Sequence, residues 1–333
     1  MLSKIIEHLE HFNKGFSVSK YLETYYNYDD SLVQTKEDFE VKLFYCYVIA
    51  CFMKEKHLKD EIINLQKENK LKDFYLKKIS NDDGETFNKI KTMFEIVSII
   101  HTWLNFKQIY KFDNDAYQTI LESKTKDITF EELKALKLPC DCFAVENEMF
   151  YQEYKIDSFM IDRYFNEEKN LINLKVCFFI EKPAGTFIYN INIKENETLL
   201  TECPKDIFPN VEVILKLLMY LAQPKVDIIK NAVVKPKNSK NKDNEIPKHF
   251  YNVEYQNNEV GCVLGSTIRN YRYIYKNKNS NNKDKKRIVS PHFRQAHYQG
   301  YWVGKGRTEY ITKLIKPIYV LGGSKNAVLH KVK

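Results

Sequence analysis

The chain has few glycines, and none of them belongs to a nucleotide-binding or hydrolase motif. Only 10 of its 333 residues are glycine. No Walker loop, GxGxxG fingerprint, HExxH pair or GxSxG elbow is present. The sequence therefore gives no support for a P-loop ATPase, a Rossmann dehydrogenase, a zincin or an α/β-hydrolase.

The cysteines lack the spacing of a metal site or a disulfide framework. There are seven, an odd number, and Cys140 and Cys142 are separated by one residue rather than two. Cys46 and Cys177 lie within apolar patterns, which predicts buried thiols. The sequence therefore predicts no metal, no disulfide and no cofactor.

Long apolar runs and a signal peptide are also missing. The longest apolar runs, residues 45–53 and 96–104, are shorter than the roughly 18 residues that a membrane-spanning helix needs. The first residues, MLSKIIEHLEHFNK, have the pattern of an amphipathic helix without a small-residue cleavage site. These absences predict a cytoplasmic protein with no membrane partner.

Charge, in contrast, is abundant and unevenly distributed. The segment from Lys230 to the end holds 17 Lys and 5 Arg against 6 acidic residues, a net charge of +16. The first 229 residues have a net charge of −8. A basic C-terminal part on an acidic body indicates a polyanionic partner, most often nucleic acid, although a solvated lysine surface is the alternative.

Hydrophobic periodicity changes along the chain. Residues 1–125 show helical spacing, and Thr129 with Glu132 matches a capping box before a short helix. In residues 172–194, two runs of alternating apolar residues flank a Pro-Ala-Gly turn, which predicts an antiparallel hairpin. Residues 210–222 return to helical spacing and are predicted to cover one face of a sheet.

Two more strands are predicted towards the C-terminus. Alternating tyrosine and basic residues predict a strand at 268–276, and an apolar run containing Pro317 predicts another at 309–320. The predicted fold class is α+β, with a helix-rich N-terminal part and a mostly antiparallel sheet in the middle and C-terminal parts. We divide the chain into residues 1–125 for target recognition, an α+β middle at 126–230, and a basic effector part at 231–333.

The segment SPHFRQAHYQGYWVGKGRTEYITKLIKPIYVLGG, residues 290–323, concentrates the chemically distinctive residues. His292, Arg294 and His297 are candidate catalytic residues for metal-independent RNA cleavage. Histidine acts as acid or base near neutral pH, and arginine stabilises a charged phosphorane. The candidate RNA- and phosphate-binding residues are basic or aromatic: Arg269, Arg272, Tyr273, Arg287, Tyr301, Trp302, Lys305 and Arg307.

Other interpretations of this segment stay open. His292 and His297 are five residues apart, a spacing that suits neither one face of a helix nor one face of a strand. Trp302 and Val303 have the character of core residues. The segment could contact nucleic acid or phosphate without chemistry, or it could be a structural or protein-contact element.

The same segment resembles the C-terminal signature of a family found on phages and conjugative plasmids. This family includes the second described family of type V-A anti-CRISPR proteins. The matching residues are Pro291, His292, Arg294, His297, Tyr301, Trp302, Val303, Gly304 and Pro317. Tyr298 stands where the family usually has Trp, and the leading basic residue of the signature is displaced to Arg287.

This resemblance implies an inhibitor that acts in the cytoplasm of a bacterial host. It would bind the N-terminal, nascent part of a type V-A CRISPR nuclease and promote loss of the mRNA that encodes it. Its partners would be that polypeptide and the mRNA or the ribosome, and the C-terminal segment would cut RNA or recruit a host nuclease. Two other functions remain: a metal-independent ribonuclease of toxin type, and a non-catalytic nucleic-acid-binding accessory protein of a phage or plasmid.

Overall fold

The structure is a computed structural model, and its description covers the larger part of the chain. The described residues are 24, 41–42, 45–46, 56–68, 70–74, 95–96, 98–100, 102–103, 105–151, 153–180, 185–231, 233, 255–280 and 292–320. Within these ranges, no helix is long and apolar enough to cross a membrane. No group of three or more metal-ligating side chains occurs in the same ranges.

Six described helices and twelve strands follow one another along the chain. The helices are α1 (Lys56–Lys67), α2 (Asn114–Glu122), α3 (Phe130–Ala135), α4 (Leu199–Glu202), α5 (Phe208–Leu221) and α6 (Cys262–Ser280). The strands are β1 (Gln108–Phe112), β2 (Cys142–Val145), β3 (Met149–Tyr151), β4 (Tyr154–Asn166), β5 (Leu171–Ile180), β6 (Gly185–Lys194), β7 (Ile228–Lys230), β8 (Gln256–Val260), β9 (His292–Arg294), β10 (His297–Val303), β11 (Glu309–Ile315) and β12 (Ile318–Val320).

Eight of these strands form one mixed sheet. Its order is β6-β5-β4-β2-β1-β8-β7, and β3 pairs with the first residues of β4. β1 pairs in parallel with both β2 and β8, whereas the other pairings are antiparallel. The fold is therefore α+β with a mostly antiparallel sheet, as predicted, but the two parallel pairings at β1 were not anticipated.

The sheet is covered on both faces. On one face, the Cys142 thiol lies 3.8 Å from the carbonyl oxygen of Ile99, and the Trp103 indole donates a hydrogen bond of 2.8 Å to the Gln108 carbonyl. The opposite face packs against α2 and α5 in one continuous hydrophobic core. Double coverage explains why the middle of β4 and the end of β5 are buried at consecutive positions rather than at alternate ones.

Several predicted elements are confirmed. β5 and β6 form the predicted antiparallel hairpin, paired from Leu171 opposite Lys194 to Ile180 opposite Gly185. Thr129 and Glu132 form the predicted capping box at the start of α3. Cys46 and Cys177 are fully buried. The predicted helix at 210–222 is α5, although it is buried nearly all round rather than along one face.

The strand predicted at 268–276 is wrong, because these residues lie within the helix α6. Leu264 and Ile268 are buried at helical spacing, four residues apart. The Asp227 carboxylate accepts hydrogen bonds from the backbone N–H groups of Val263, at 2.5 Å, and Leu264, at 3.3 Å. These N–H groups would otherwise lack partners at the helix start. The tyrosines alternate in the sequence with the period of a strand, which explains the wrong prediction.

The strand predicted at 309–320 is two strands in separate ladders. β11 pairs with β10, and β12 pairs with β9. The break falls at Lys316 and Pro317, since proline has no backbone N–H to donate to a ladder. Neither strand belongs to the large sheet that was predicted to contain them.

The predicted division at residue 125 stays a prediction. Much of the 1–125 part lies outside the described residues, and the described residues before Lys107 are helical except around 68–70. β1 is a strand of the large sheet although it belongs to that first part. The sheet thus contains strands from all three of the proposed parts.

Candidate functional site

The C-terminal candidate residues are carried by an antiparallel hairpin of β10 and β11, residues 297–315, which we call the tail hairpin. Seven residue pairs join its strands, from His297 opposite Ile315 to Val303 opposite Glu309. Directly opposed residues share a face. The outer face of the tail hairpin carries four exposed side chains, His297, Gln299, Tyr301 and Lys313, together with four half-buried ones, Val303, Glu309, Ile311 and Ile315. The other face turns towards the core.

The inner face of the tail hairpin is fixed to α5. The buried Tyr298 hydroxyl donates a hydrogen bond of 2.8 Å to the carbonyl oxygen of Lys216, and the Thr312 hydroxyl donates to the carbonyl oxygen of Met219. The Leu314 N–H donates to the Gln223 side chain at 3.3 Å. Tyr298 therefore has a structural role, and these hydrogen bonds fix the tail hairpin to α5 and to Gln223.

Gly300 is required for the packing of this inner face. A Cβ atom at this position would lie 1.8 Å from the hydroxyl oxygen of Tyr310, whose side chain is 1% exposed. The Trp302 ring packs against the same tyrosine, with 5.2 Å between ring centroids, yet Trp302 remains 38% exposed. Trp302 is thus not a core residue, and part of its ring is available at the edge of the hairpin.

The tip of the tail hairpin presents two cations. Gly304 and Gly306 have φ of 85° and 81°, and Arg307 follows with φ of 55°. The Arg307 N–H donates to the Gly304 carbonyl at 3.1 Å, which closes the turn. Lys305 and Arg307 are exposed. The glycines therefore set the turn that projects both positive side chains into solvent.

The candidate catalytic residues lie on different ladders. His297 starts β10, whereas His292 and Arg294 lie in β9, which pairs with β12. The side chains of His292 and Arg294 lie outside the part of the chain whose side chains are described. His297 and the last residue of β10 are six positions apart, a distance of roughly 20 Å at 3.3 Å per residue. His297 therefore lies at the opposite end of the tail hairpin from the turn that carries Lys305 and Arg307.

The candidate arginines of α6 contact acidic residues. Arg269 lies 3.0 Å from the Asp113 carboxylate and 2.8 Å from that of Asp115, and Arg272 also contacts Asp115. The hydrogen bond from Arg269, supported by Arg272, lowers the pKa of Asp115. Both guanidinium groups therefore join α6 to the start of α2.

Tyr273 and Arg287 complete the predicted set. Tyr273 projects from α6 with 69% of its surface exposed. Arg287 lies outside the described residues.

A second site, which the sequence interpretation missed, is a cleft of about 740 Å³. We call it the acidic cleft, and its lining is polar: Lys111, Asn114, Tyr117, Gln118, Glu146, Asn147, Glu148, Asp157 and Ser158. It opens where the parallel strands β1 and β2 both end, at Phe112 and Val145. Crevices at the carboxyl ends of neighbouring parallel strands are common ligand sites.

The acidic cleft is held in place by Asn147. Its side-chain carbonyl accepts a hydrogen bond of 2.7 Å from the Phe112 N–H, and its amide donates one of 3.0 Å to the Phe112 carbonyl. The loop after β2 is thereby fixed to the end of β1. Acidic and amide residues directly after two apolar strands, DN at 113–114 and ENE at 146–148, were the sequence signal for this site. This signal indicates a site only when the parallel pairing of β1 with β2 is known, because that pairing brings the two segments together.

Comparisons with known proteins give one family and one fold. A family model described as AcrVA2-like, the anti-CRISPR type V subtype A2 family, matches residues 110–322. This span includes the sheet except for the first two residues of β1, and it includes α2, α5, the acidic cleft and the tail hairpin. The crystal structure of AcrVA2 superimposes with a TM-score of 0.54 at 16% identity, over 96% of this chain and 99% of that one. No curated protein matches the chain.

Proposed function

Since the chain belongs to the AcrVA2-like family of type V subtype A2 anti-CRISPR proteins, and is thus an inhibitor of type V-A CRISPR systems, we propose a mechanism for the inhibition. In this mechanism, the protein binds the N-terminal, nascent part of the type V-A nuclease in the bacterial host and promotes loss of the nuclease mRNA. The tail hairpin is the surface that engages RNA or the ribosome.

The observation that carries this proposal is the outer face of the tail hairpin together with its tip. Tyr301 and Lys313 lie on one exposed face, and Lys305 and Arg307 project from the adjoining turn. Cations neutralise backbone phosphates, and an exposed aromatic ring stacks on an unpaired base. Hydrogen bonds from the inner face of the hairpin to α5 and to Gln223 support this surface from behind.

Transcript abundance tests the proposal. Cells would express the protein with a type V-A nuclease gene, or with the same gene lacking its start codon. We expect loss of the translated transcript only, because recognition needs the nascent polypeptide. The triple variant Tyr301→Ala/Lys305→Ala/Arg307→Ala should restore that transcript, since it removes the ring and both tip cations. His292→Ala/Arg294→Ala/His297→Ala should also restore it if the candidate catalytic residues take part.

A matched control removes the same chemistry elsewhere. Tyr164, Lys169 and Lys205 are exposed and belong to β4, to the turn after β4 and to the segment between α4 and α5, outside the tail hairpin. The variant Tyr164→Ala/Lys169→Ala/Lys205→Ala should deplete the transcript as the wild type does. An unchanged transcript with wild-type protein, or equal loss with and without the start codon, would contradict the proposed mechanism.

A further inference from the structure

We propose that the acidic cleft is where the target polypeptide binds, and that it takes a segment carrying a cationic group next to an apolar side chain. This inference rests on the proposed function, because that function supplies a polypeptide target. It goes further by stating where in the fold the target polypeptide binds and which chemical groups of the polypeptide are bound there.

Two carboxylates of the acidic cleft converge on a position that fits an ammonium group. The Lys155 ammonium lies 2.6 Å from the Glu148 carboxylate and 3.5 Å from that of Asp157. All three side chains are at least partly exposed, and exposed ion pairs contribute little to stability. A cationic group on a ligand would therefore replace the Lys155 ammonium at low cost, and Lys155 itself marks where it would lie.

A buried hydroxyl in the same cleft lacks a partner. Tyr117 lines the acidic cleft, its side chain is 3% exposed, and its hydroxyl makes no hydrogen bond to any residue that the structure describes. A buried polar atom without a partner is costly. Because this oxygen is closed off from solvent, the ring has to turn towards the cleft before a backbone carbonyl or amide of a bound peptide can satisfy it. The missing partner is an indication of a ligand independent of the carboxylates.

An exposed aromatic side chain lies beside the ammonium position. Phe150 of β3 is directly opposite Lys155 of β4, so the two side chains share a face. Phe150 is 67% exposed. The pair provides an apolar contact and a ring next to a cation. Acidic groups with an adjoining aromatic ring are complementary to a cationic, partly apolar peptide and not to an anionic nucleic acid.

Peptide binding to the full chain tests this inference. The probe is a fluorescent synthetic peptide with the first residues of a type V-A nuclease, prepared with a free and with an acetylated α-amino group. Glu148→Gln/Asp157→Asn should raise the Kd roughly tenfold, because hydrogen bonds to charged groups are lost. Tyr117→Phe should raise it by a smaller factor. Lys155→Met should lower it, because a competing ammonium is removed.

Controls and the peptide arms separate the outcomes. Glu168→Gln and Lys169→Met, in the exposed turn after β4, should leave the Kd unchanged, and thermal unfolding should show that every variant is folded. If the acetylated peptide binds more weakly, the cationic group that the cleft binds is the α-amino group of the peptide. Equal binding assigns it to a lysine or arginine of the peptide, whose replacement by methionine should then weaken binding.

One result would contradict the assignment of the cleft, and another would contradict target recognition itself. If the wild type binds the peptide and the cleft variants bind it equally well, or if no cation of the peptide matters, the cleft assignment is wrong and the proposed function stands. If the wild type does not bind the peptide, target recognition as proposed fails. A change in opposite directions for Lys155→Met and Glu148→Gln/Asp157→Asn is the result that a merely structural role would not produce.

Discussion

At the residue scale, Asp162 shows how burial competes with a nearby cation. It lies directly opposite Lys175 in the pairing of β4 with β5, but the Lys175 ammonium binds the Glu95 carboxylate at 2.7 Å. Asp162 is only 9% exposed. Burial raises its pKa from 3.8 to about 6, which Lys175 opposes and Asp141 reinforces. The carboxylate is therefore a cost to the folded state at neutral pH.

This cost predicts a pH-dependent effect of Asp162→Asn. The folded state binds the proton more tightly than the unfolded state, so wild-type stability falls as pH rises from 3.8 through about 6. Above that range the variant should be more stable than the wild type by up to about 3 kcal/mol. The difference should disappear at lower pH. Urea unfolding across this pH range measures it.

The control for that measurement is Glu153→Gln. Glu153 is exposed in the turn between β3 and β4, so its variant should follow the wild-type pH profile. An Asp162→Asn variant that is less stable than the wild type above pH 6 would show that its carboxylate is stabilised by an interaction stronger than its desolvation.

At the scale of elements, α6 depends on a cap from outside its own segment. The Asp227 carboxylate, just before β7, accepts from the first N–H groups of α6, and the Gly261 N–H donates to the Asp227 carbonyl at 2.9 Å. Gly261 has φ of 78°, and a Cβ there would lie 2.7 Å from that of Ala116. The sharp turn at Gly261 ends β8, and the carboxylate of the distant Asp227 caps the helix α6 that begins directly after it.

Asp227→Ala should therefore destabilise the protein by about 1 kcal/mol, the usual cost of losing a helix N-cap. Asp227→Asn keeps an acceptor oxygen and should recover most of the loss. Denaturant midpoints at a constant slope measure the change. If Ala and Asn at 227 lower the midpoint equally, the negative charge rather than the hydrogen bonds holds the start of α6.

The same elements show what local sequence predicts. The β5–β6 hairpin, the capping box of α3 and the helix α5 depend on contacts within short segments, and the sequence predicts all three. The start of α6 depends on Asp227, which lies 35 residues before the helix. The parallel pairing of β1 with β8 joins residues about 150 positions apart. The periodicity of apolar residues in a short segment carries no information about such distant contacts. For this reason, the prediction of a strand at 268–276 was wrong and the acidic cleft was not predicted.

At the scale of the whole molecule, one short helix joins the two proposed binding surfaces. Asn114 and Tyr117 of α2 line the acidic cleft. At its other end, the Glu122 carbonyl accepts from Gln295, and Lys124 pairs with the first residue of the tail hairpin. Nine residues of helix span about 13 Å. A polypeptide in the cleft and RNA or a ribosome at the hairpin would thus lie near opposite ends of this one helix.

This arrangement predicts that a variant can bind the nuclease peptide without depleting the transcript. It also predicts that no variant depletes the transcript without binding the peptide. The tail variant Tyr301→Ala/Lys305→Ala/Arg307→Ala should bind the nuclease peptide with the wild-type Kd and leave the nuclease transcript intact, because its substitutions are on exposed positions that do not line the cleft. The cleft variant Glu148→Gln/Asp157→Asn should lose both activities, since the effector surface is useful only when the nascent target holds it near the mRNA.

Peptide affinity and transcript abundance, measured for the same two variants, check this order of events. A tail variant that also loses the peptide would place the recognition surface on the hairpin. A cleft variant that still depletes the transcript would mean that the hairpin finds its RNA unaided. Loss of transcript would then no longer depend on the start codon, and non-specific binding through phosphate contacts would weaken steeply with salt. The start-codon comparison, made with the cleft variant, therefore decides between a guided and an unguided effector.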